Sequence, residues 1–445
     1  MNISLPKGVT YIISELSKHG HEAYVVGGSI RDVLIGLTPK DYDVTTSATP
    51  EEVMAIFPKT IPTGLKHGTV GVRTHEGLFD VTTYRTDGEY ILHRYPKNVI
   101  FVDDLVEDLR RRDITINAIA YNPQKGIIDP FEGTEDIHKK LIRAVGNPIL
   151  RFKEDALRIL RAVRLATTLN FNIEEKTLLA MVETMEGLKF ISVERIREEL
   201  STILLSKHPS RGIRMLFDLG IMKYILPELM TMASFLQYNP YHHKDVLGHT
   251  LEVLDHVPNT LPLRLAALFH DSGKPATFTV DEHAVGHFYG HEHHSSTLAK
   301  ETLLRLRYDH KTIEKVSKLV AFHMVSTQMK NPVKIKKLII DLGQEHIDDL
   351  LSLKIADASG KPKTEDAPLA DIRAFQRRIQ EILTRKDPLT IKDLAINGQD
   401  LLTLGMKEGK AIGNALHELL LYVLKHPDQN EKDLLLSRLK KEHHP

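Results

Sequence analysis

Residues 24–46 read YVVGGSIRDVLIGLTPKDYDVTT, and this stretch indicates the fold around it. An apolar run meets the glycine pair Gly27 and Gly28, an Arg-Asp pair follows, and Asp41 and Asp43 stand two residues apart. Because residues i and i+2 of a strand point to the same face, a strand over 41–46 would place both carboxylates together. Mg²⁺ accepts a few carboxylates and leaves its other positions to water and substrate phosphates. The order of these parts favours a metal–triphosphate site over a solvated Asp-x-Asp turn.

Composition places the chain among globular proteins. Its 445 residues, 42% hydrophobic and 27% charged, suffice for two to four domains. The absence of cysteine excludes a disulfide framework, a thiolate metal site and a catalytic thiol. We find no apolar run of about 18 residues and no charged-then-apolar leader, so we expect no membrane span, no signal peptide and a cytoplasmic location. A net charge of zero argues against a chain-wide basic surface but allows local basic patches that bind RNA.

The spacing of hydrophobic residues predicts an α+β protein. Strand-like and helix-like stretches alternate over residues 1–140, and after Phe131 the spacing is helical to the end. We expect an N-terminal head with a small mixed β-sheet, then helical regions. The expected head elements are a helix over 7–19, a strand over 22–27, a helix from near Arg31, a strand over 41–46, a helix after Pro50 and a hairpin over 67–72 and 78–83. The expected domains are a head over 1–145, a neck over 146–228, a third domain over 229–368 and a tail over 369–445.

A second polar cluster reads Arg111-Arg112-Asp113-Ile114-Thr115-Ile116-Asn117-Ala118. An Asp and an Asn supply the acceptors and donors that a ribose 2′-hydroxyl requires, although Asp113 capping a helix start would explain the cluster equally well by itself. In this order, the two stretches resemble motifs A and B of the class II nucleotidyltransferases, the family of CCA-adding tRNA nucleotidyltransferases and bacterial poly(A) polymerases.

The resemblance implies a role for each residue that matches a motif. Asp41 and Asp43 would be catalytic and would bind Mg²⁺. The nucleotide would be bound by residues of both motifs, with the triphosphate at Gly27, Gly28 and Arg31 and the ribose at Arg112, Asp113 and Asn117.

Three further stretches resemble family motifs C, D and E. They are Asp129-Pro130-Phe131-Glu132-Gly133, Glu154-Asp155-Ala156-Leu157-Arg158 and Ile191-Ser192-Val193-Glu194-Arg195. In the family, the Asp and Arg of motif D select CTP and then ATP without a nucleic-acid template. Asp155 and Arg158 would then bind the base, because a carboxylate and a guanidinium match its hydrogen-bonding edge. A surface ion pair at i,i+3 is the alternative. Arg161 and Arg164 extend this basic face toward triphosphate or primer, and Ser192 is a possible helix cap.

Between motifs A and B, residues 85–96 resemble the flexible loop that CCA-adding enzymes need for the final A. The family's usual form has Asp where this chain has Leu92, and Arg where it has Tyr95. Enzymes that add only CC typically lack the segment, so its presence argues against that activity. The two departures leave addition of A open.

A second constellation consists of His249, the pair His270-Asp271, and Asp357. These residues resemble the HD phosphohydrolase superfamily, in which His, His-Asp and a distant Asp bind a divalent metal. Such a metal, of unknown identity here, would activate water and polarise a phosphoryl group. The alternative is four unrelated polar residues on helices, which the apolar run before His270 disfavours. Further histidines that could line the same pocket are His291, His294 and His323.

The resemblance as a whole implies an enzyme that adds C, C and A to the 3′ end of tRNA from CTP and ATP. An A-adding enzyme or a poly(A) polymerase shares the same motifs and is the first alternative. An HD phosphohydrolase whose head only grips RNA is an alternative of a different class, and a non-catalytic RNA-binding module is a third. The tail, with Lys407, Lys410 and a helix N-terminus after Gly405, would bind tRNA phosphates. The oligomeric state stays open.

Overall fold

The computed structural model describes residues 3–87, 90–91, 95–96, 99–233, 235, 245–283, 285–359 and 367–443. The chain forms two compact units, Met1–Met230 with Arg305–Arg307, and Thr231–Leu304 with Tyr308–Pro445. The helices of the first unit are α1 Lys7–Lys18, α2 Gly28–Leu34, α3 Pro50–Ile56, α4 Leu105–Arg110, α5 Gly133–Lys139, α6 Pro148–Glu154, α7 Leu157–Thr168, α8 Glu175–Thr184, α9 Val193–Leu204, α10 Pro209–Asp218 and α11 Met222–Ile225.

The strands lie mainly in the N-terminal half. They are β1 Ala23–Val26, β2 Asp43–Thr46, β3 Thr60–Gly64, β4 Thr69–Thr74, β5 Gly77–Thr83, β6 Arg85–Asp87, β7 Tyr90–Ile91, β8 Tyr95–Pro96, β9 Val99–Phe101, β10 Ala120–Asn122, β11 Gly126–Ile128, β12 Leu141–Ile142, β13 Asn172–Ile173, β14 Thr279–Val280 and β15 Gly286–His287.

One mixed sheet organises the head, in the order β11-β10-β1-β2-β5-β4-β3. Strand β2 runs antiparallel to β1, with Val26 opposite Asp43, and parallel to β5, with Val44 opposite Val81. Burial explains the position of β1 and β2 in the middle: all of β1 is buried, and β2 is buried after its first residue. The start of β2 therefore comes to lie next to the turn that follows β1.

Local signals account for several head helices. The prediction of a helix with Pro and acids in its first turn is confirmed by α3, where Thr49 and Glu52 form a reciprocal capping box. Helix α1 buries Val9, Ile12 and Leu16, which recur at three- and four-residue spacing.

In the neck, α7 packs against α10 at Gly212. A Cβ on Gly212 would lie 2.6 Å from Thr167, so the contact requires glycine. These two neck helices therefore approach one another closely near the C-terminal end of α7.

The second unit is predominantly helical. Its helices are α12 Val246–His256, α13 Leu261–Phe269, α14 His291–Arg305, α15 His310–Phe322, α16 Pro332–Leu342, α17 Ile347–Ser359, α18 Ala367–Thr384, α19 Gly398–Thr403, α20 Lys410–Lys425 and α21 Lys432–His443. A buried lysine ties two parts of it together: Lys336 Nζ donates to the Leu424 carbonyl at 3.0 Å and pairs with Asp387 at 2.8 Å. No helix among the described residues is long and apolar enough to cross a membrane.

The expected fold class is confirmed, with four local corrections. Asp41 lies before β2 rather than in it, since the strand begins at Asp43. Helix α2 starts at Gly28, earlier than expected, because the left-handed Gly27 (φ 77°) turns the chain at once. The chain after Phe131 is not wholly helical, since β12 pairs with β13 and β14 with β15. The tail helix α20 begins after Gly409 rather than directly after Gly405.

Candidate functional site

Three carboxylates gather at the start of β2. Asp43 opens the strand and Asp41 precedes it by two residues. Asp80 lies on the neighbouring strand β5, one residue before Val81, which pairs with Val44 of β2. Desolvation by the surrounding protein raises the pKa of Asp43; repulsion from Asp80 and Asp41 adds to this, and Arg112 opposes it. Oxygen ligands that repel one another in this way fit a hard divalent cation such as Mg²⁺, which would relieve the repulsion.

Sequence reasoning missed Asp80. The only signal was its position in an apolar strand, Leu78-Phe79-Asp80-Val81, where a charged residue is unusual. Its proximity to Asp43, which lies 37 residues earlier in the chain, depends on the parallel pairing of β2 with β5.

The glycine turn lies on the other side of Asp43. Gly27 has φ 77°, and a Cβ there would approach Arg112 Nη1 to 3.0 Å, so both the conformation and the space favour glycine. Its N–H donates to the Ile119 carbonyl at 3.2 Å, which ties the turn to the strand region after motif B. The structure thus brings motifs A and B together although they are widely separated in sequence.

Arg31 connects motif A to motif B directly. Its Nη1 donates to Asn117 Oδ1 at 2.6 Å, and its Nε and Nη2 donate to Asp32 Oδ1 at 2.9 and 2.7 Å. Asn117 Nδ2 in turn approaches Asp113 Oδ1 at 3.5 Å. The predicted triphosphate and ribose residues therefore belong to one hydrogen-bonded network.

Asp113 is the buried centre of that network. Its Oδ2 accepts from Arg161 Nε at 2.6 Å, and its Oδ1 accepts from the Ile114 N–H at 2.9 Å. Burial opposes ionisation, but the charges of Arg161 and Arg158 outweigh it and hold the pKa of Asp113 well below its usual range. Arg161, which we expected on a basic face, is thus engaged with motif B.

A second buried carboxylate, Asp108, holds the arginines of motif B. It accepts from Arg111 Nε at 2.9 Å and Nη2 at 2.8 Å, and lies 3.5 Å from Arg112 Nη2. Burial raises its pKa, yet the two arginines more than compensate and the pKa is lowered. Burial lowers the pKa of Arg112. This role of Asp108 could not be inferred from the sequence, in which it looked like an ordinary acid on a helix.

Asp155 and Arg158 are placed differently from the expected pair on one helical face. Asp155 is the extended residue after α6 (φ −141°, ψ 105°), and α7 begins two residues later. Its carboxylate pairs with Arg195 Nη2 at 2.6 Å and Nη1 at 3.3 Å, and accepts from the Leu157 N–H at 3.1 Å. The ion pair with Arg195 joins motif D to motif E within the neck.

Arg158 is buried to 8% exposure. It donates from Nη1 to the Arg151 carbonyl and to Glu154, and from Nη2 to the Arg111 carbonyl at 3.0 Å. This makes the alternative of a simple surface ion pair between Asp155 and Arg158 wrong, because a surface pair would leave the guanidinium in water.

The remaining motif residues have varied outcomes. Arg164 pairs with Glu199 at 2.6 Å. Ser192 occupies the N-cap position of α9 but its side chain makes no capping hydrogen bond, so that prediction is wrong. Of the loop over 85–96, Gly88, Leu92 and Arg94 lie outside the described residues.

In the second unit, the four residues of the HD pattern converge. His249 comes from α12, His270 and Asp271 follow α13, and Asp357 lies on α17. His249 Nε2 lies 2.9 Å from Asp357 Oδ1 and 3.8 Å from Asp271 Oδ2, and His270 Nε2 lies 3.3 Å from Asp271 Oδ2. Burial opposes ionisation of Asp271, but His270 and Lys274 hold its pKa well below normal.

This second cluster has the chemistry of a metal site. His270 is fully buried, and its Nε2 has no hydrogen-bond partner among the described residues. Imidazole and carboxylate donors together fit a divalent transition metal. Of the additional histidines, His291 and His323 are buried beside Asp271, whereas His294 is exposed.

Three ranges of the chain match known protein families. Residues 23–143 match the poly A polymerase head domain, 170–232 match the RNA and SrmB-binding site of polymerase A, and 278–439 match tRNA nucleotidyltransferase domain 2. The head sheet with its carboxylates is therefore that of a poly A polymerase head domain.

The relatives specify the family. The CCA-adding enzyme of Staphylococcus haemolyticus is 32% identical over 430 residues, which is 96% of either chain. The CCA-adding enzyme of Geobacillus thermodenitrificans is 49% identical over 227 residues. This match covers 51% of the chain and 56% of that relative, so the chain spans about half the length of this relative. The Bacillus stearothermophilus CCA-adding enzyme in complex with CTP superposes with a TM-score of 0.74 at 30% identity, covering 99% of each chain. The chain belongs to the family of CCA-adding enzymes.

Proposed function

We propose that the protein adds C, C and A to the 3′ end of tRNA, using CTP and ATP and no nucleic-acid template. The observation that carries this proposal is the group of Asp41, Asp43 and Asp80 at the head sheet, in a chain similar over 96% of its length to a CCA-adding enzyme. Relatives with solved structures include CCA-adding enzymes in complex with CTP and with tRNA. The chemistry of the site supports the same reaction.

Each head residue would have its own role in the transfer step. Asp41 and Asp43 would hold two Mg²⁺ ions, whose charge would favour ionisation of the tRNA 3′-hydroxyl and would stabilise the leaving pyrophosphate. Asp80 adds negative charge beside them. A Cβ on Gly27 or Gly28 would lie 3.0 Å from Arg112 Nη1 or 3.4 Å from Arg31 Nη2, so a triphosphate at this turn would meet both guanidinium groups. Catalysis then consists mainly of positioning and charge stabilisation.

The network behind the carboxylates would bind the nucleoside. Asn117 and Asp113 present an amide and a carboxylate to the ribose, held by Arg31 and Arg161 respectively. Arg112 favours the charged form of Asp43 and so lowers its pKa, and its positive charge would also attract the phosphates. Each polar group is oriented by a partner before substrate arrives, which lowers the cost of ordering the site.

Asp155 and Arg158 would bind the base. Both are held by neighbouring groups, Asp155 by Arg195 and Arg158 by Glu154 and backbone carbonyls. A rigid carboxylate and guanidinium can present a fixed pattern of acceptors and donors, which accepts C and A and rejects U and G. Arg164 would extend the basic face toward triphosphate or primer.

The test uses tRNA substrates that end before CCA, after C and after CC, each incubated with one NTP at a time. We expect C on the first two substrates and A on the third. Incorporation of A alone, only on the tRNA ending in CC, would indicate an A-adding enzyme. Long A tails on unrelated RNA would indicate a poly(A) polymerase, and no incorporation on any substrate would refute the proposal.

A second activity is proposed for the cluster of His249, His270, Asp271 and Asp357, namely metal-dependent hydrolysis of a phosphoester. The convergence of these four residues, with Asp271 buried and Asp357 partly exposed, favours it. A 2′,3′-cyclic phosphate at a damaged tRNA end is an attractive substrate, because nucleotide addition requires a free 3′-hydroxyl. Water would bond to phosphorus, the P–O3′ bond would break, and the proton would pass to O3′, leaving a 2′-phosphate.

The test incubates tRNA ending in a 2′,3′-cyclic phosphate with the full chain and Mn²⁺, Ni²⁺, Co²⁺ or Zn²⁺ in turn. We expect the unaltered protein to open the cyclic phosphate of the tRNA, and the Asp271→Ala variant to leave it intact. Equal rates in the protein and the variant would refute a role for the cluster. If no phosphoester is hydrolysed with any of these ions, the hydrolase proposal fails while nucleotide addition is unaffected.

A further inference from the structure

A cavity of about 580 Å³ lies in the first unit, where the C-terminal ends of three helices meet. Ile35 and Leu37 follow α2, Lys140 follows α5 and Leu169 follows α7, and all four line the cavity. The loop between α9 and α10 also lines it, through Lys207. The volume falls within the range of small-molecule sites, which is roughly 300–1,000 Å³.

This cavity is separate from the nucleotide site, although two helices connect them. Arg31 lies on α2, four residues before Ile35, and Arg158 lies on α7, ten residues before Thr168, which lines the cavity. At 1.5 Å per residue, Arg158 and Thr168 are roughly 15 Å apart along the helix. Among the described residues that line the cavity, none belongs to the predicted nucleotide site.

The cavity carries positive charge that no carboxylate balances. Four of its side chains can be cationic, and all four are exposed. They are His138, Lys140, Lys207 and His208. In the part of the chain that the structure describes, no acidic residue lines the cavity and none of these four side chains forms an ion pair. Lysine donates through its ammonium group, and imidazole can donate a hydrogen bond in either protonation state, so this wall suits an anion.

Another part of the wall is apolar. The left-handed Gly36 (φ 79°) ends α2 in a Schellman motif, in which the Gly36 N–H donates to the Val33 carbonyl at 3.0 Å and the Leu37 N–H donates to the Asp32 carbonyl at 2.8 Å. The apolar residue after such a glycine frequently packs back on its own helix. Leu37 is instead 54% exposed at the cavity, so a ligand meets an aliphatic surface as well as the cations.

Hydrogen bonds fix the frame of the cavity. Lys140 and Asn170 both line it and both have left-handed backbones, with φ 53° and 56°, which are uncommon outside glycine. Arg211 of α10 holds the second turn, since its Nη1 donates to Asn170 Oδ1 and its Nη2 donates to the Phe171 carbonyl at 2.6 Å. The Asn172 N–H donates to the Lys140 carbonyl at 2.9 Å, which joins the two turns. A frame held in this way lowers the cost of ordering a site around a ligand.

We propose that this cavity binds a nucleotide at a second site, separate from the nucleotide site of the head. Lys140 and Lys207 would contact the phosphates, and Leu37 would pack against the base, whose flat faces are apolar. An enclosed cavity suits a free nucleotide better than a nucleic-acid strand, which requires a basic groove that follows its backbone. The proposal goes beyond the addition of C, C and A to tRNA and does not depend on it.

The test is the number of ATP molecules bound per chain. The full chain is dialysed to equilibrium against ATP and Mg²⁺ without tRNA, so that no transfer takes place. We expect two ATP molecules per chain. Lys140→Gln and Lys207→Gln should each raise the Kd of the second site about fivefold, as expected for loss of an exposed ion pair. The two changes together should raise it about 25-fold and leave one ATP per chain at concentrations that fill both sites of the unaltered protein.

The matched control is Lys139→Gln. Lys139 is the neighbour of Lys140 in the chain, but it pairs with Glu135 at 3.2 Å and does not line the cavity, so this variant should still bind two ATP molecules. Equal numbers of ATP in the unaltered protein and in the double variant would refute the second site.

Two further outcomes separate this site from other assignments. If the double change leaves ATP binding intact and weakens tRNA binding instead, the cavity belongs to an RNA-binding surface and the nucleotide assignment is wrong. If the unaltered protein binds one ATP and the double variant binds none, the cavity site stands and the proposed nucleotide site of the head fails.

Discussion

Asp155 offers the sharpest test of base recognition, because the structure gives this residue two separable roles. Its carboxylate pairs with Arg195 at 2.6 and 3.3 Å, which stabilises the neck, and we propose that it also contacts the incoming base. The change Asp155→Asn keeps the size of the side chain but removes its charge. A purely structural residue would then lose stability, whereas a base-binding residue would also lose selectivity.

The size of both effects follows from the contacts. The side chains of Asp155 and Arg195 are 15% and 30% exposed, so loss of the pair should cost about 1–2 kcal/mol, less than for a fully buried pair. In a unit of this size that lowers the melting temperature by roughly 2–8 °C. By analogy with bidentate base contacts, loss of base recognition should cost about 1–3 kcal/mol of discrimination. The ratio of kcat/KM for CTP over UTP should therefore fall about 5- to 160-fold.

The neck supplies a matched control in Glu199→Gln. Glu199 of α9 pairs with Arg164 of α7 at 2.6 Å, and this ion pair does not involve Asp155. We expect this variant to lose a similar amount of stability and to keep its CTP/UTP ratio within about twofold. Both variants are assayed for incorporation of each NTP on tRNA lacking CCA and on tRNA ending in CC. If Asp155→Asn slows all four nucleotides equally and leaves the ratio unchanged, Asp155 only anchors Arg195 and the base-recognition argument is wrong.

Three other outcomes are expected. Asp43→Asn should abolish nucleotide addition while leaving the Kd for tRNA within about twofold, because the carboxylate takes part in the reaction and not in tRNA binding. The control Glu135→Gln, which changes an exposed acid of the head, should retain activity. Substantial residual transfer by Asp43→Asn would argue against the metal site. Asp271→Ala should remove phosphoester hydrolysis and spare CTP and ATP addition, measured on the same preparation; loss of addition in a folded variant would mean that the two sites depend on each other. Lys336→Met should lower the free energy of unfolding by about 2–4 kcal/mol in denaturant titrations, because it removes the buried ammonium group that pairs with Asp387, whose side chain is 10% exposed. Lys337→Met on the exposed face should change it by less than about 0.5 kcal/mol.

Much of the head could be predicted from local sequence. The apolar run before Gly27, the paired aspartates and the capping signals around Pro50 each depend on residues close in the chain, so their structural preference is already present in the unfolded polypeptide. The order of the motifs then identified the family. The same holds for His270 and Asp271, whose position after a buried helix can be inferred from the apolar residues before them.

The positions of the partners could not be predicted in this way. Asp80 reaches Asp43 only through the register of β2 with β5, and Asp108 becomes the anchor of Arg112 only because it is buried beneath it. Asp155 looked like a helical neighbour of Arg158, yet the chain is extended there. Its charge is compensated by Arg195, about 40 residues away in sequence.

The surroundings of Asp271 are the clearest example of what tertiary structure alone decided. Its Oδ2 faces His270 and His249, whereas its Oδ1 faces His291 and His323. Sequence patterns determined that histidines and aspartates occur on helices of the second unit, because periodicity marks which helices are buried. They could not determine which oxygen faces which histidine, since that depends on how α12, α14, α15 and α17 pack around one turn. Packing of this kind is a property of the closed fold: each contact joins residues that are distant in sequence, and its geometry exists only once the others have formed.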